Sequence, residues 1–215
     1  MTDSGQQSRQ SERVAVYIDG YNVYYGLRSK GWKRYLWLDY RSLFDNQLRQ
    51  GQELVVVNYF TALGRRQSTE AAERQRTYLS AIKTVGGVNI KIAGKFETRP
   101  WKCMHCDQSY KRPQEKMTDV AIAVQLVGDA HSDIFDTAWL MSADADLVPA
   151  VNYVNDSFPQ KLIVALPPRG RRSDHLVQAT GNEMYISKSR HSQAQLPDTI
   201  MGLDGRVLKR PPEWS

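Results

Sequence analysis

Four aspartates carry the chemistry this chain is built to do. Asp19 closes the apolar run Val14-Ala15-Val16-Tyr17-Ile18, Asp119 stands three residues past Lys116, and Asp144 and Asp146 follow Leu140-Met141-Ser142-Ala143. Carboxylates are hard oxygen donors, which suit Mg²⁺ or Mn²⁺ rather than zinc, whose preferred ligands are His and Cys. Each aspartate also has an ordinary explanation. Asp19-Gly20 fits a turn, Asn22 and Asp146 fit helix N-caps, and Asp119 fits an acid complementing the dipole of a helix's first turn. Taken singly those explanations suffice. Four acids brought to one place, however, repel one another unless a cation neutralises them. Such a cation lowers the pKa of a bound water and stabilises charge on a phosphoryl group, as phosphodiester hydrolysis requires.

The elements that must position these acids alternate between β and α patterns. Residues 13–18 read as a buried strand ending in a sharp turn, with a helix from Val23. A helical stretch over residues 40–49 closes at Gly51, and residues 53–60, rich in valine and aromatics, read as a central strand. Ser68 with Thr69 opens a long helix through Ile82, stopped at Gly86-Gly87, and residues 88–96 form a third strand. Residues 97–115 have no steady period and read as an insertion or irregular hairpin. An apolar helix over 116–130, a strand over 136–141 and a helix over 146–155 follow, with Pro149 confined to the first turn of that helix. Residues 161–166, a helix near 173–179 and residues 183–187 complete the alternation. The order predicts an α/β fold: a mostly parallel sheet with helices on both faces. Ligands of such sheets collect beyond the carboxyl ends of the strands, where Asp19, Asp144 and Asp146 fall. Asp119 sits in the first turn of the helix expected from Lys116, which would place Lys116 on the same side of the helix start.

Three ordered segments, Tyr17-Ile18-Asp19-Gly20-Tyr21-Asn22, Glu115-Lys116-Met117-Thr118-Asp119 and Ser142-Ala143-Asp144-Ala145-Asp146, resemble the NYN domains of the PIN-like nuclease superfamily, in particular the bacterial LabA-like group. The resemblance runs from about Val14 to Ser187. It implies a PIN-like, Rossmann-like fold and metal-dependent ribonuclease activity. It further implies metal ligation by Asp19, Asp119 and Asp144 with Asp146 near the site, Asn22 and Ser142 as polar supports, and Lys116 near the scissile phosphate. Ala143 departs from the glycine usual in the family, a small steric change that leaves every acid in place.

The chain has 215 residues, 41% of them hydrophobic and 24% charged, with a mean hydropathy of −0.54. That length suits one principal domain over residues 13–187, a flexible tail over 1–12 and a surface extension over 188–215. No apolar run is long enough to span a bilayer, and residues 1–12 lack the apolar stretch of an export signal, so a cytoplasmic location without membrane partners is expected. A net charge of +6 favours a polyanionic partner, here RNA, although Arg65-Arg66, Lys111-Arg112 and residues 169–172 also suit plain solvated faces. Cys103 and Cys106 make half of a zinc-finger pair. Completing a structural Zn²⁺ site needs His105, His131, His175 or His191, or the cysteines of a second chain in a homodimer; otherwise the two are ordinary thiols. Tyr17, Tyr21, Tyr24, Tyr25, Trp32, Tyr35 and Trp37 crowd the first acidic segment, where they serve core packing or stack on single-stranded bases. Two other functions compete with the nuclease. A catalytically silent RNA-binding or regulatory protein has no need to concentrate negative charge where phosphates approach. An aspartyl-phosphate phosphatase would want a second acid two residues beyond Asp19, where Tyr21 stands.

Overall fold

The computed structural model describes residues 11–63 and 69–214. Its core is a six-stranded sheet with β1 (Glu12–Asp19) near the middle. From β1 the chain passes through α1 (Gly20–Ser29) and α2 (Tyr40–Asp45) to β2 (Gln52–Leu63), then through α3 (Thr69–Val85) to β3 (Asn89–Lys102). The strand β4 (Ser109–Lys116) returns antiparallel at the sheet's edge and leads into α4 (Thr118–His131). The chain then crosses to the other side of β1 with β5 (Thr137–Met141), α5 (Val148–Ser157), β6 (Leu162–Ala165) and α6 (Asp174–Thr180). The order is β4-β3-β2-β1-β5-β6, parallel everywhere except at β4. Because the winding reverses on either side of β1, the loops after β1 and β5 diverge and leave a crevice at their carboxyl ends.

The two-residue period of β1 divides the core. Val14, Val16 and Ile18 pack with Leu27, Phe44, Tyr78 and Ile82 on one face. Ala15 and Tyr17 pack with Ile122, Leu126, Val151 and Leu176 on the other. A strand covered on both faces has to be apolar throughout, as residues 14–18 are.

Several boundaries differ from the sequence reading for identifiable reasons. The first helix starts at Gly20 rather than Val23, because the Asp19 side chain caps it. The second ends at Asp45, and turns carry the chain to Gly51, whose φ of 84° needs the freedom of glycine. The irregular segment 97–115 is an extension of β3 paired with β4, from Lys95 opposite Lys116 out to Lys102 opposite Ser109. Lys116 therefore ends a strand, and the helix expected from it begins at Thr118. Residues 183–187 form no strand. One bridge joins Ala165 to Glu183, whose carboxylate is held by Arg172 and Tyr185, and Ser187 already caps the next helix, α7 (Lys188–Gln193). Beyond α7 the hairpin of β7 (Thr199–Met201) and β8 (Val207–Lys209) brings in more than surface cover, since Leu196 and Trp214 join the β1 core, with Trp214 against Trp37 and Tyr78. Of the tail read over residues 1–12, only Ser11 and Glu12 fall within the described residues, and Arg65, Arg66 and Ser68 lie outside them. Among the described residues no helix is long and apolar enough to cross a membrane.

Ion pairs pin the amino edge of the sheet. Arg13 at the start of β1 donates from its backbone N–H (2.8 Å) and its Nε (3.1 Å) to Asp136 Oδ2, and from Nη2 to Oδ1 (2.7 Å). Lys161, 7% exposed, donates to Asp133 Oδ1 and the Phe135 carbonyl, both at 2.6 Å. Hydrogen bonds from Arg13 hold the Asp136 carboxyl below the ordinary carboxylate range, and those from Lys161 do the same for Asp133. A group with a depressed folded-state pKa contributes stability above the unfolded value and loses it as pH falls through the folded value. Replacing Asp136 with Ala should lower the unfolding free energy by about 1–2 kcal/mol at neutral pH, a charge-assisted contact discounted for partial exposure. The difference from wild type should close as pH falls through the depressed Asp136 value. Urea unfolding across that range checks it, and a difference independent of pH would assign the loss to packing.

Candidate functional site

The register of the central strands builds one wall of the site. Ile18 lies opposite Met141, so the next residues, Asp19 and Ser142, leave the sheet side by side. Asp19 is 4% exposed and spends both oxygens on local donors. Its Oδ1 accepts the Asn22 backbone N–H at 2.9 Å, capping α1, while its Oδ2 accepts from the Asn22 side-chain amide and from Ser142 Oγ at 3.1 Å. Ser142 Oγ in turn accepts the Asp144 N–H at 3.1 Å, and Asp144 Oδ1 accepts the Asp146 N–H at 3.0 Å, capping the short 3₁₀ turn Ala145–Leu147. Gly20 is obligatory here. A Cβ on it would stand 2.5 Å from the Tyr59 hydroxyl and 2.8 Å from the Phe60 carbonyl oxygen.

The opposite wall comes from the end of the β3–β4 hairpin. Met117, with φ of 85°, takes a left-handed conformation that is uncommon outside glycine and turns the chain sharply from β4 into α4. Glu115, ahead of that turn, accepts the Thr118 N–H at 3.2 Å and the Thr118 hydroxyl. Asp119 follows in the first turn of α4. The result is a pocket of about 220 Å³ whose lining includes Asp19, Asp119, Asp144 and Asp146 together with Asn22, Lys116 and Glu115. Ser142 is buried behind it. Every acid singled out in the sequence is thus at one site. Glu115 is the residue the reading passed over, and its signal was the spacing Glu115-x-x-Thr118 ahead of a helix.

The electrostatics are those of crowded carboxylates. Burial raises the pKa of Asp19, and the charge of Asp144 adds to the rise, while hydrogen bonds from Asn22 and Ser142 oppose it. Burial likewise raises Glu115, with help from Asp19 and Asp119. Lys116 forms no ion pair among the described residues. An all-oxygen donor set of this size fits a hard divalent cation. The site is not a finished cage, since among the described residues no three His, Cys, Asp or Glu side chains meet as a ready ligand group.

Cations pair with aromatic rings along α1 and just beyond it, and one of them, Arg171, reaches the pocket residue Asn22. Arg171 donates to Asn22 Oδ1 at 3.2 Å and lies over the Tyr25 ring at 5.6 Å, Arg28 lies over Tyr24 at 5.6 Å, and Arg169 over Trp32 at 5.1 Å. Of the aromatics noted in the sequence, Tyr17, Tyr35 and Trp37 are core residues, whereas Tyr21, Tyr24, Tyr25 and Trp32 are partly or largely open to solvent. Cys103 and Cys106 sit in the turn at the far tip of the hairpin, about 20 Å along the strands from Lys116. Backbone N–H groups of His105 and Cys106 favour the Cys103 thiolate. No third ligand joins the pair among the described residues. His131 contacts Tyr153 and Phe158, and His191 is buried with Nδ1 against the Ser187 carbonyl.

A reversed-winding parallel sheet with an acidic crevice at β1 and β5 is the architecture of PIN-like nucleases. The chain belongs to the NYN domain family, which matches residues 13–187 and lies within that superfamily. It is similar to the 6-hydroxy-3-succinoylpyridine 3-monooxygenase HspA of Pseudomonas putida (strain DSM 28022 / S16), at 25% identity over 94% of this chain and 75% of the relative. A crystal structure of a protein of unknown function from Vibrio parahaemolyticus RIMD 2210633 shares the fold, with a TM-score of 0.56 and 21% identity over 85% of this chain and 97% of that one.

Two outcomes follow from the site. A carboxyl whose folded-state pKa is raised favours folding when protonated, so the Asp19 charge becomes a penalty as pH rises through that raised value. Asp19→Asn should therefore melt higher than wild type at pH 8 in chelator, with the order reversed when Mg²⁺ or Mn²⁺ stabilises the wild type alone; an unchanged wild-type melting temperature across millimolar metal would remove the cation. Separately, any zinc in the purified protein should be lost in Cys103→Ser without loss of the fold. Less than about a tenth of an equivalent in wild type would leave Cys103 and Cys106 as plain thiols.

Proposed function

We propose that the chain is a metal-dependent ribonuclease that hydrolyses RNA phosphodiester bonds at the acidic pocket. The observation that carries this reading is that Asp19, Glu115, Asp119, Asp144 and Asp146, from three parts of the chain, line one crevice. So costly a concentration of like charge is explained by a bound cation and is a hindrance to a module that merely binds RNA. Mg²⁺ or Mn²⁺ held by Asp19, Asp119 and Asp144, with Asp146 at the exposed margin, would activate water and offset charge on the phosphoryl oxygens. Asn22 and Ser142 fix the Asp19 carboxylate through the bonds described above. Lys116 offers the pocket an ammonium for the scissile phosphate, and Arg171 offers a guanidinium at its rim. Attack on phosphorus by the water oxygen then breaks one P–O bond, and the departing oxygen takes up a proton. Any zinc held by Cys103 and Cys106 would be structural, completed by a histidine or by the cysteines of a second chain.

Purified protein should cleave labelled single-stranded RNA with Mg²⁺ or Mn²⁺ and not with chelator. Asp144→Asn should abolish cleavage. Lys116→Ala should slow single-turnover cleavage by about a hundredfold, the usual effect of losing one preorganised donor, while RNA binding in Ca²⁺ changes little. RNA that is bound but uncut with every metal would favour a regulatory binding protein. Turnover of 6-hydroxy-3-succinoylpyridine, the compound in the relative's name, without RNA cleavage would replace the reading altogether.

A further inference from the structure

Next to the acid pocket lies a second cavity that the chemistry above leaves unused. It occupies about 220 Å³ between α1, α3 and β2, and its walls include the rings of Tyr21, Tyr24, Tyr40, Tyr59, Tyr78 and Trp214. Tyr21 lines both cavities, so one side chain forms their common wall. The Tyr21 ring is held in place by its hydroxyl, which donates to the Ala62 carbonyl at 2.9 Å, and by edge contact with Phe96.

We propose that this cavity receives one nucleobase of the RNA strand whose phosphate enters the acid pocket. The proposal rests on the ribonuclease reading for its occupant and on the cavity itself for its chemistry. Shape comes first. An apolar cavity of about 150 Å³ already takes benzene, so this one has room for a single heteroaromatic ring or a fused pair, with aromatic faces to stack on. Polar groups come second. Ring-binding sites pair apolar walls with a few groups that read the ligand's edge. Tyr59, 6% exposed, lines the cavity and carries a hydroxyl able to donate to or accept from a base edge. Gln75 donates its amide to the Ala62 carbonyl at 2.9 Å and to Thr61 Oγ1 at 3.2 Å, which leaves its carbonyl oxygen to accept from a base. Charge comes third. Arg28, on the lining and without a carboxylate partner among the described residues, offers a cation to the adjoining phosphate. A base in this cavity would fix the register of the strand, so that one particular phosphate meets Lys116 and the acids.

The test is a set of short single-stranded RNAs, each lacking the base at one position, with binding measured in Ca²⁺ so that no strand is cut. One position should bind about tenfold more weakly than the intact strand, and the others within about twofold. Tyr59→Phe keeps the ring and removes only the hydroxyl, while Tyr24→Ala removes a wall on the solvent side. Both should weaken the intact strand and leave the strand lacking the critical base unaffected, the non-additivity expected of a direct contact. Equal loss at every position, or variants that weaken both strands alike, would overturn the proposal. Binding of free 6-hydroxy-3-succinoylpyridine tighter than of the RNA would give the cavity to a small molecule and overturn it as well. A protein that cuts RNA with a flat profile keeps the nuclease and loses the base pocket. One that shows the single critical position without cutting keeps the pocket and loses the nuclease.

Discussion

Holding the Asp19 carboxylate inside the fold, with no ion pair to a basic side chain among the described residues, is the constraint around which this molecule is arranged. Asp19 is nearly sealed from solvent, and its charge is tolerated because three donors reach it: the backbone and side chain of Asn22 and the hydroxyl of Ser142. Those donors exist only if α1 begins immediately after β1 and if β5 lies beside β1 in register. Gly20 is required for the first condition, since any side chain would strike Tyr59, and the reversal of strand order supplies the second. The cap on α1 and the acid of the site are therefore one residue, and helix start and site chemistry cannot be altered independently.

The two ends of the sheet treat charge in opposite ways. At the amino edge Arg13 and Lys161 meet Asp133 and Asp136, and each acid is held below its usual pKa. At the carboxyl edge burial raises the pKa values of Asp19 and Glu115, and the charges of neighbouring acids add to the rise. Acidification loosens the first end and relaxes the second. Structural anchoring and site strain are thus separated by the length of a strand, an arrangement that lets the site carry repulsion while the sheet stays tied together.

Much of this was legible in the sequence. The unbroken apolar run of residues 14–18 could only be a strand covered on both faces, and acids at strand ends point to one edge once the sheet is parallel. What could not be read were features set by contacts distant in sequence. The β3–β4 hairpin carries Pro100 and Pro113 and no clean alternation, because it lies at the sheet's edge, where no second neighbour enforces the period. Glu115 was hidden inside it, and Lys116 was taken for the start of a helix that the left-handed Met117 delays by two residues. Residues 183–187 have the composition of a strand, yet the side chain of Glu183 is drawn to Arg172, and a single bridge is all that forms. The closing segment looked like a polar wrap because Leu196 and Trp214 are isolated apolar residues, and isolated residues show no period.

The position of Trp214 bears on how the protein is made. Its indole seals the cluster that Trp37 and Tyr78 begin, so the core on that face is incomplete until residue 214 has left the ribosome. At ordinary rates of synthesis the interval after Trp37 emerges is on the order of ten seconds or more. Throughout that time the nascent chain holds an unsealed hydrophobic surface, and this face of the core closes only once residue 214 is free to pack.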